Sequence, residues 1–154
     1  MDVLAADPAI KIAHLKRNPL ESLRSLVQAR ATGRWQRTGT DDDPPRVSIS
    51  VSECEDFFER CARQKELIEA RFSAHPRLTV DYSTTLVAPT ETLFRLHDFL
   101  EVPRVPLRPE TYLKQEHRRL ADTVLNFAEL RRAFRSRPEA GFFNCLEPSE
   151  PAGR

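Results

Sequence analysis

Apolar residues recur at two different periods along this chain, and the change from one to the other predicts its elements. Lys11-Ile12-Ala13-His14-Leu15 reads as a short strand, with Ile12, Ala13 and Leu15 able to bury on both faces of a parallel sheet. Past Lys16-Arg17 the spacing becomes helical, with Leu20, Leu23, Leu26 and Val27 marking an apolar stripe. Asn18 as N-cap, Pro19 at the first helical position and Glu21 at the third give that helix a start signal, and Gly33 gives it a C-cap. A second helix is expected from Ser52, with Glu55 as its capping-box partner and Phe57, Phe58, Cys61, Ile68 and Phe72 in period, stopping near Pro76. Leu78-Thr79-Val80-Asp81-Tyr82 alternates like a strand, and Leu93, Leu96, Phe99 and Leu100 mark a helix over 90–100. Pro103, Pro106 and Pro109 break the next stretch into an irregular connection. Asn126 then caps a last helix, with Glu129 at its third position and Leu130, Ala133 and Phe134 facing inward.

Two segments lack either period. Residues 36–50, centred on Asp41-Asp42-Asp43-Pro44-Pro45, read as an exposed loop. Residues 138–154 read as a loose tail whose Phe142-Phe143 pair can dock back on the core.

Strand, helix, helix, strand, helix is an α/β order, yet two strands do not make an open sheet of usual size. The pattern therefore predicts one partial domain over residues 1–154, a parallel-sheet core with several packed helices and the front of the usual fold missing. Pairing with a partner chain, or further strands that the pattern does not signal, are the alternatives. A length of 154 residues with 40% hydrophobic content fits one modest core.

Charge narrows the chemistry. The 24 Lys+Arg against 23 Asp+Glu leave a net +1, so no nucleic-acid partner is expected and any anion site must be local. Cys54, Cys61 and Cys145 do not form a secreted disulfide scaffold; Cys54 and Cys61, seven apart, share a helix face as small buried residues. No CxxC, HExxH or His/Cys cluster offers a metal site. The start, Met1-Asp2-Val3-Leu4-Ala5, has neither a basic region nor a following apolar run. No signal or membrane span is expected, and a cytoplasmic location follows as the default.

The local anion site is legible at the first strand-to-helix junction. Arg17 stands between a strand end and a helix start, where ligands collect in open α/β sheets. A helix N-terminus offers unpaired N–H groups, and a guanidinium adds a fork for two phosphate oxygens. Ser25 is seven residues after Asn18, roughly 10 Å along the helix, and shares a polar face with Asn18, Ser22 and Ala29. The plain alternative is a solvated arginine and an ordinary surface serine. Lys16 alternates away from Arg17 and reads as structural. Lys114 and Arg118, four apart, would share a helical face and add positive charge for a nucleotide, or form a solvated basic face. His14 and His97 have no Asp or Ser partner at motif spacing.

The run from Lys11 to Ser25 resembles the 3′-phosphate-binding signature of sulfotransferases that use 3′-phosphoadenylyl sulfate (PAPS): a strand, Arg-x-Pro, then a helix with Ser eight residues after the Arg. The continuation Thr32-Gly33-Arg34-Trp35 looks more like the bacterial-type branch than the soluble arylsulfotransferases. A second block, Tyr82, Pro89, Leu93, Phe99 and Leu100, keeps the spacing of the family's Tyr-Glu-Asp-Leu block and of its helix ending Phe-Leu-Gly. Ser83, Thr84, Thr85 and Glu101 replace the acidic pair, the leucine and the glycine. A third block, Leu113-Lys114-Gln115 with Val124 to Leu130, is similar to the family's C-terminal lysine/glutamine and Asn-Tyr-x-Glu-Leu region, with Phe127 in place of tyrosine. The resemblance spans roughly residues 9–135.

The resemblance implies a P-loop-like fold in which Arg17 and Ser25 hold the nucleotide 3′-phosphate and Lys114 adds charge. It implies sulfuryl transfer from PAPS to a hydroxyl or amine of a carbohydrate, lipid or small metabolite. The family's glycine-rich 5′-phosphosulfate loop has no counterpart among these 154 residues, whose only glycines are Gly33, Gly39, Gly141 and Gly153. No catalytic residue is therefore assigned. A catalytically inactive truncated remnant, or a nucleotide-binding module that depends on a partner, is the competing expectation.

Overall fold

A computed structural model describes residues 2–35, 37–38, 44–105, 112–113 and 118–144. Its helices are α1 (Asp2–Ala6), α2 (Pro19–Thr32), α3 (Val51–Arg71), α4 (Tyr82–Val87), α5 (Pro89–Leu100), α6 (Leu120–Thr123) and α7 (Phe127–Ala133). The strands are β1 (Ile12–Lys16), β2 (Arg37–Thr38), β3 (Arg77–Asp81) and β4 (Tyr112–Leu113), and a 3-10 helix covers Pro138–Phe143. This is a mixed α/β architecture. The chain divides into a sheet unit, Met1–Arg17 with Glu59–Thr111, and a helical unit, Asn18–Phe58 with Tyr112–Arg154.

In the sheet unit β1 and β3 pair in parallel, from Ile12 opposite Arg77 to Lys16 opposite Asp81. The β-branched and alternating residues produce the two strands as expected, but their burial differs. Ile12 is half-buried, Ala13 is exposed and Leu15 is 57% exposed, whereas Val80 on β3 is buried. A parallel strand buries both faces only where other layers cover both. β3 also ends one residue early, because Asp81 accepts a 2.8 Å hydrogen bond from the Ser83 amide and so caps α4. Tyr82 thus opens a helix instead of closing a strand; a local capping bond outweighs its β-propensity.

α5 runs to Leu100 and stops at Glu101, which adopts the left-handed conformation at φ 59° and donates its amide to Asp98 and His97 carbonyls. A non-glycine residue here carries a steric cost that glycine avoids. Lys11 Nζ lies 2.8 Å from the Glu101 carboxylate and 5.9 Å from the Phe99 ring centre, linking β1 to this turn.

The helical unit holds a continuous core of Leu20, Leu23, Val47, Ile49, Cys54, Phe58, Leu120, Val124, Phe127, Leu130, Phe134 and Phe143. α2 begins as the sequence predicts: the Asn18 side chain accepts from the Leu20 amide at 2.9 Å, and Gly33 closes the helix at φ 69°. α3 starts two residues earlier than its expected Ser52/Glu55 box. Ser50 Oγ accepts from the Glu53 amide at 3.2 Å, and Glu53 Oε2 accepts from the Ser50 amide at 2.7 Å, so the working pair is Ser50/Glu53. Both serines offer the same signal. What selects Ser50 is the packing: Ile49 before the cap and Cys54 at the fourth helical position are both fully buried in the core, as in a hydrophobic staple.

That staple exposes a feature of the 36–50 loop that composition conceals. Among its described residues, Val47 and Ile49 are buried, and Val47 bridges to Val124 in parallel. The period-two run Val47, Ile49, Val51 was the available signal. Pro138–Phe143, in turn, is an ordered 3-10 helix, and Phe143 is 2% exposed. Phe142 and Phe143 set their rings 5.0 and 6.4 Å from Phe58, both edge to face, and Asn18 Nδ2 donates to the Phe142 carbonyl at 2.9 Å. The docking of the Phe pair anchors the beginning of the expected tail; residues 145–154 lie outside the described residues.

Candidate functional site

Because β1 and β3 are parallel and in register at Lys16 and Asp81, the residues just past them, Arg17 and Tyr82, emerge side by side at the carboxyl ends of the strands. The Arg17 guanidinium carbon stands 4.6 Å from the Tyr82 ring centre. A cation held over an aromatic face is attracted by the charge distribution of the ring, so this contact fixes the position of the guanidinium at the strand ends. This contact joins the first and second blocks of the sequence signature, and neither block alone revealed it. The parallel pairing of two short strands was the only clue.

The surroundings are charged on both signs. A hydrogen bond from the Ser83 hydroxyl, foremost, holds the Asp81 carboxyl below the usual carboxylate range, with the Ser83 and Thr84 amides and the charge of Lys16 adding to it. Asp81 is thus an ionised cap. Lys16 is exposed.

In the helical unit Ser25 sits half-buried in the middle of α2. Its face is less open than the sequence suggests, because Ala29 is 4% exposed. Ser22 donates its hydroxyl to the Asn18 carbonyl at 3.1 Å. The residues that sequence reasoning overlooked on this helix are Arg24 and Gln28, each 2% exposed. Arg24 Nη1 lies 3.4 Å from both the Arg118 carbonyl and Thr123 Oγ1, and Gln28 Nε2 donates to the Pro45 carbonyl at 3.0 Å. Both sit in the i+3/i+4 rows beside the leucine stripe, where polar side chains bury only with partners.

Arg118 is half-buried and donates through Nη2 to the Pro44 carbonyl at 2.5 Å. It fastens the loop end and is not part of a solvated basic face. Lys114, the other basic residue suggested for the nucleotide, lies outside the described residues. No group of His, Cys, Asp and Glu that could hold a metal occurs among the described residues. No helix among them is long and apolar enough to cross a membrane.

Asn126 plays a different part from the N-cap expected of it. Its side chain makes no capping bond to α7; the amide instead spans Ile49, accepting from its N–H at 3.2 Å and donating to its carbonyl at 2.8 Å. The Val47 amide donates to Thr123 and the Leu125 amide to Val47, so Asn126 extends this short parallel ladder by one side-chain rung. A buried extended segment needs every backbone group paired, and that need wins over capping.

Comparison with known proteins places this arrangement among relatives. The chain is 41% identical over 155 residues to Nodulation protein H of Rhizobium tropici, an overlap of 99% of this chain and 62% of that protein. It is 36% identical over 144 residues to Nodulation protein H of Rhizobium meliloti strain 1021, covering 91% of this chain and 58% of that protein. The chain thus spans about three fifths of the length of the curated relatives it matches. No family model matches the sequence, and no solved structure matches it. At 99% coverage the matched stretch runs through the Arg17 junction, the Tyr82 block and the Asn126 region.

Proposed function

We propose that this chain is the nucleotide-holding part of a PAPS-dependent sulfotransferase, with the P-loop-like fold of that family. In this reading Arg17 and Ser25 bind the 3′-phosphate and Lys114 supplies further positive charge. The observation that carries it is the contact of the Arg17 guanidinium with the Tyr82 ring at the carboxyl ends of two parallel strands, since this holds a cation where α/β sheets take ligands. The ordered sequence blocks and the 36–41% identity to Nodulation protein H support the same reading.

In sulfuryl transfer an acceptor oxygen or nitrogen bonds to sulfur while the bond from sulfur to the phosphate oxygen breaks. The acceptor proton passes to a base, and adenosine 3′,5′-bisphosphate leaves with the electron pair. A 3′-phosphate contact is remote from that centre. Arg17 and Ser25 would therefore act by binding and positioning the donor, with the acceptor drawn from carbohydrates, lipids or small metabolites carrying a hydroxyl or amine. No residue here matches the 5′-phosphosulfate loop or the base, so catalytic roles are not given to this chain's residues. That absence favours a second reading, a nucleotide-binding module that works with another polypeptide segment.

Calorimetry with adenosine 3′,5′-bisphosphate tests the binding claim. Arg17→Ala should weaken binding roughly tenfold or more, the loss of a charge-assisted hydrogen-bond pair. Arg95→Gln on the exposed side of α5 should leave it unchanged. Equal affinity for adenosine 5′-monophosphate would defeat a dedicated 3′-phosphate contact. Radiolabelled PAPS with these 154 residues alone should give no transfer above a no-protein control; clear turnover would place the donor loop and base within this chain after all.

A further inference from the structure

The helical unit carries a second feature that the nucleotide reading does not use. Ala121, Phe127, Ala128, Arg131, Arg132 and Arg135 line an open trough of about 600 Å³ whose exposed lining is almost wholly apolar. The volume is within the range of small-molecule sites. The three arginines are exposed and have no acidic partner among the described residues. Asp122 on α6 is taken by Arg119 at 3.2 Å, and the Glu55 carboxylate by Arg137. Glu129 is the sole acid within α7. One cation would suffice to complement the carbonyl end of α7, and Arg135 lies beyond the helix altogether. Three exposed arginines bordering one apolar trough exceed that need.

We infer that this trough binds a soluble organic anion, a phosphate or sulfate monoester with a hydrocarbon or aryl body. The body would cover the apolar surface of Phe127, Ala121 and Ala128, and the arginines would fork onto the anionic oxygens. The shape of the site asks for both parts at once. A bare anion leaves the apolar floor wet, and a neutral apolar molecule leaves the arginine cluster uncompensated. None of the residues proposed for the nucleotide takes part, so this inference stands or falls separately.

The test is NMR titration of the full chain with hexyl phosphate, against hexanol and inorganic phosphate. Amide shifts from hexyl phosphate should concentrate between residues 121 and 135, with affinity about tenfold above either control. Arg131→Gln/Arg132→Gln/Arg135→Gln should abolish most of that gain, and Ala128→Trp should block the trough by filling it. All four positions are exposed, and unchanged near-ultraviolet circular dichroism would verify the fold of each variant. Arg137→Gln, whose partner is Glu55, serves as the control and should bind normally. Three outcomes would overturn the inference: hexanol or phosphate binding as well as hexyl phosphate, shifts spread evenly along the chain, or binding only to anionic vesicles with none to the soluble ester.

Discussion

The sheet unit and the helical unit are built from similar sequence material and packed very differently. Among the described residues of the helical unit twelve buried apolar side chains form one cluster, with Phe58 in ring contact with Phe134, Phe142 and Phe143. In the sheet unit Val80 is the one buried apolar side chain among the described residues, while Leu15, Leu67, Val102 and Val105 are all more than 45% exposed. The difference teaches that the strand pair owes its form to backbone pairing, capping and surface ion pairs more than to burial. The Arg17 contact with Tyr82 belongs to that lightly buried unit, and the core belongs to the other.

The sharpest way to break this contrast is a matched pair of truncations. Phe58→Ala should cost about 3–5 kcal/mol, since it removes the ring touched by three other phenylalanines and leaves a cavity. Leu67→Ala, 69% exposed on α3, should fall within about 0.5 kcal/mol of the parent. Urea unfolding measures both, and comparable costs would erase the distinction between the units.

Next in size is Asn126→Ala. It strips both partners from the backbone of Ile49, a fully buried residue, and should cost about 2–3 kcal/mol in the same assay. A loss below about 0.5 kcal/mol would mean that the ladder holds without its side-chain rung.

The helical core should also leave a pH signature. Burial, with smaller help from the Glu53 and Glu55 charges, pushes the Cys54 thiol from 9.0 up to about 11. The folded state therefore favours the neutral thiol. Its contribution is complete below the unfolded value of 9.0 and is lost as pH rises through about 11. Urea midpoints should fall over that window, and Cys54→Ala should flatten the slope; an equal slope in the variant would assign the fall to other groups.

The smallest effect concerns the sheet unit. Glu101→Gly should raise Tm by about 1–3 °C by relieving the left-handed backbone, whereas Glu101→Ala keeps the strain, loses Lys11 and should not. Identical shifts for the two would show that the conformation costs nothing there.

Much of this molecule could be read without coordinates where the signal was local. The Asn18-Pro19 start, the Gly33 stop and the inward set Leu130, Ala133 and Phe134 rest on bonds or spacings within a few residues. The glutamate-for-glycine departure at Glu101 marked the place where the backbone does turn left-handed. The reading failed where distant segments compete for one residue. Ser50 and Ser52 offer equal capping boxes, and only the burial of Ile49 and Cys54 chooses between them. Asn126 looks like a cap in sequence and is taken by Ile49, 77 positions away.

What the sequence determined by itself, then, is the order β1, α2, α3, β3, α5 and α7 without the short α1, β2, α4, β4 and α6, the junction that carries Arg17 and the placement of Ser25 on the helix that follows. Those depend on backbone propensity and short-range hydrogen bonds, which a neighbouring residue can supply. Tertiary structure alone decided that Tyr82 would back Arg17, that Arg24 and Gln28 would be buried, and that the Asn126 side chain would pair with Ile49. Each of these depends on which distant surfaces meet, and that follows from burial of the whole chain, not from any local pattern.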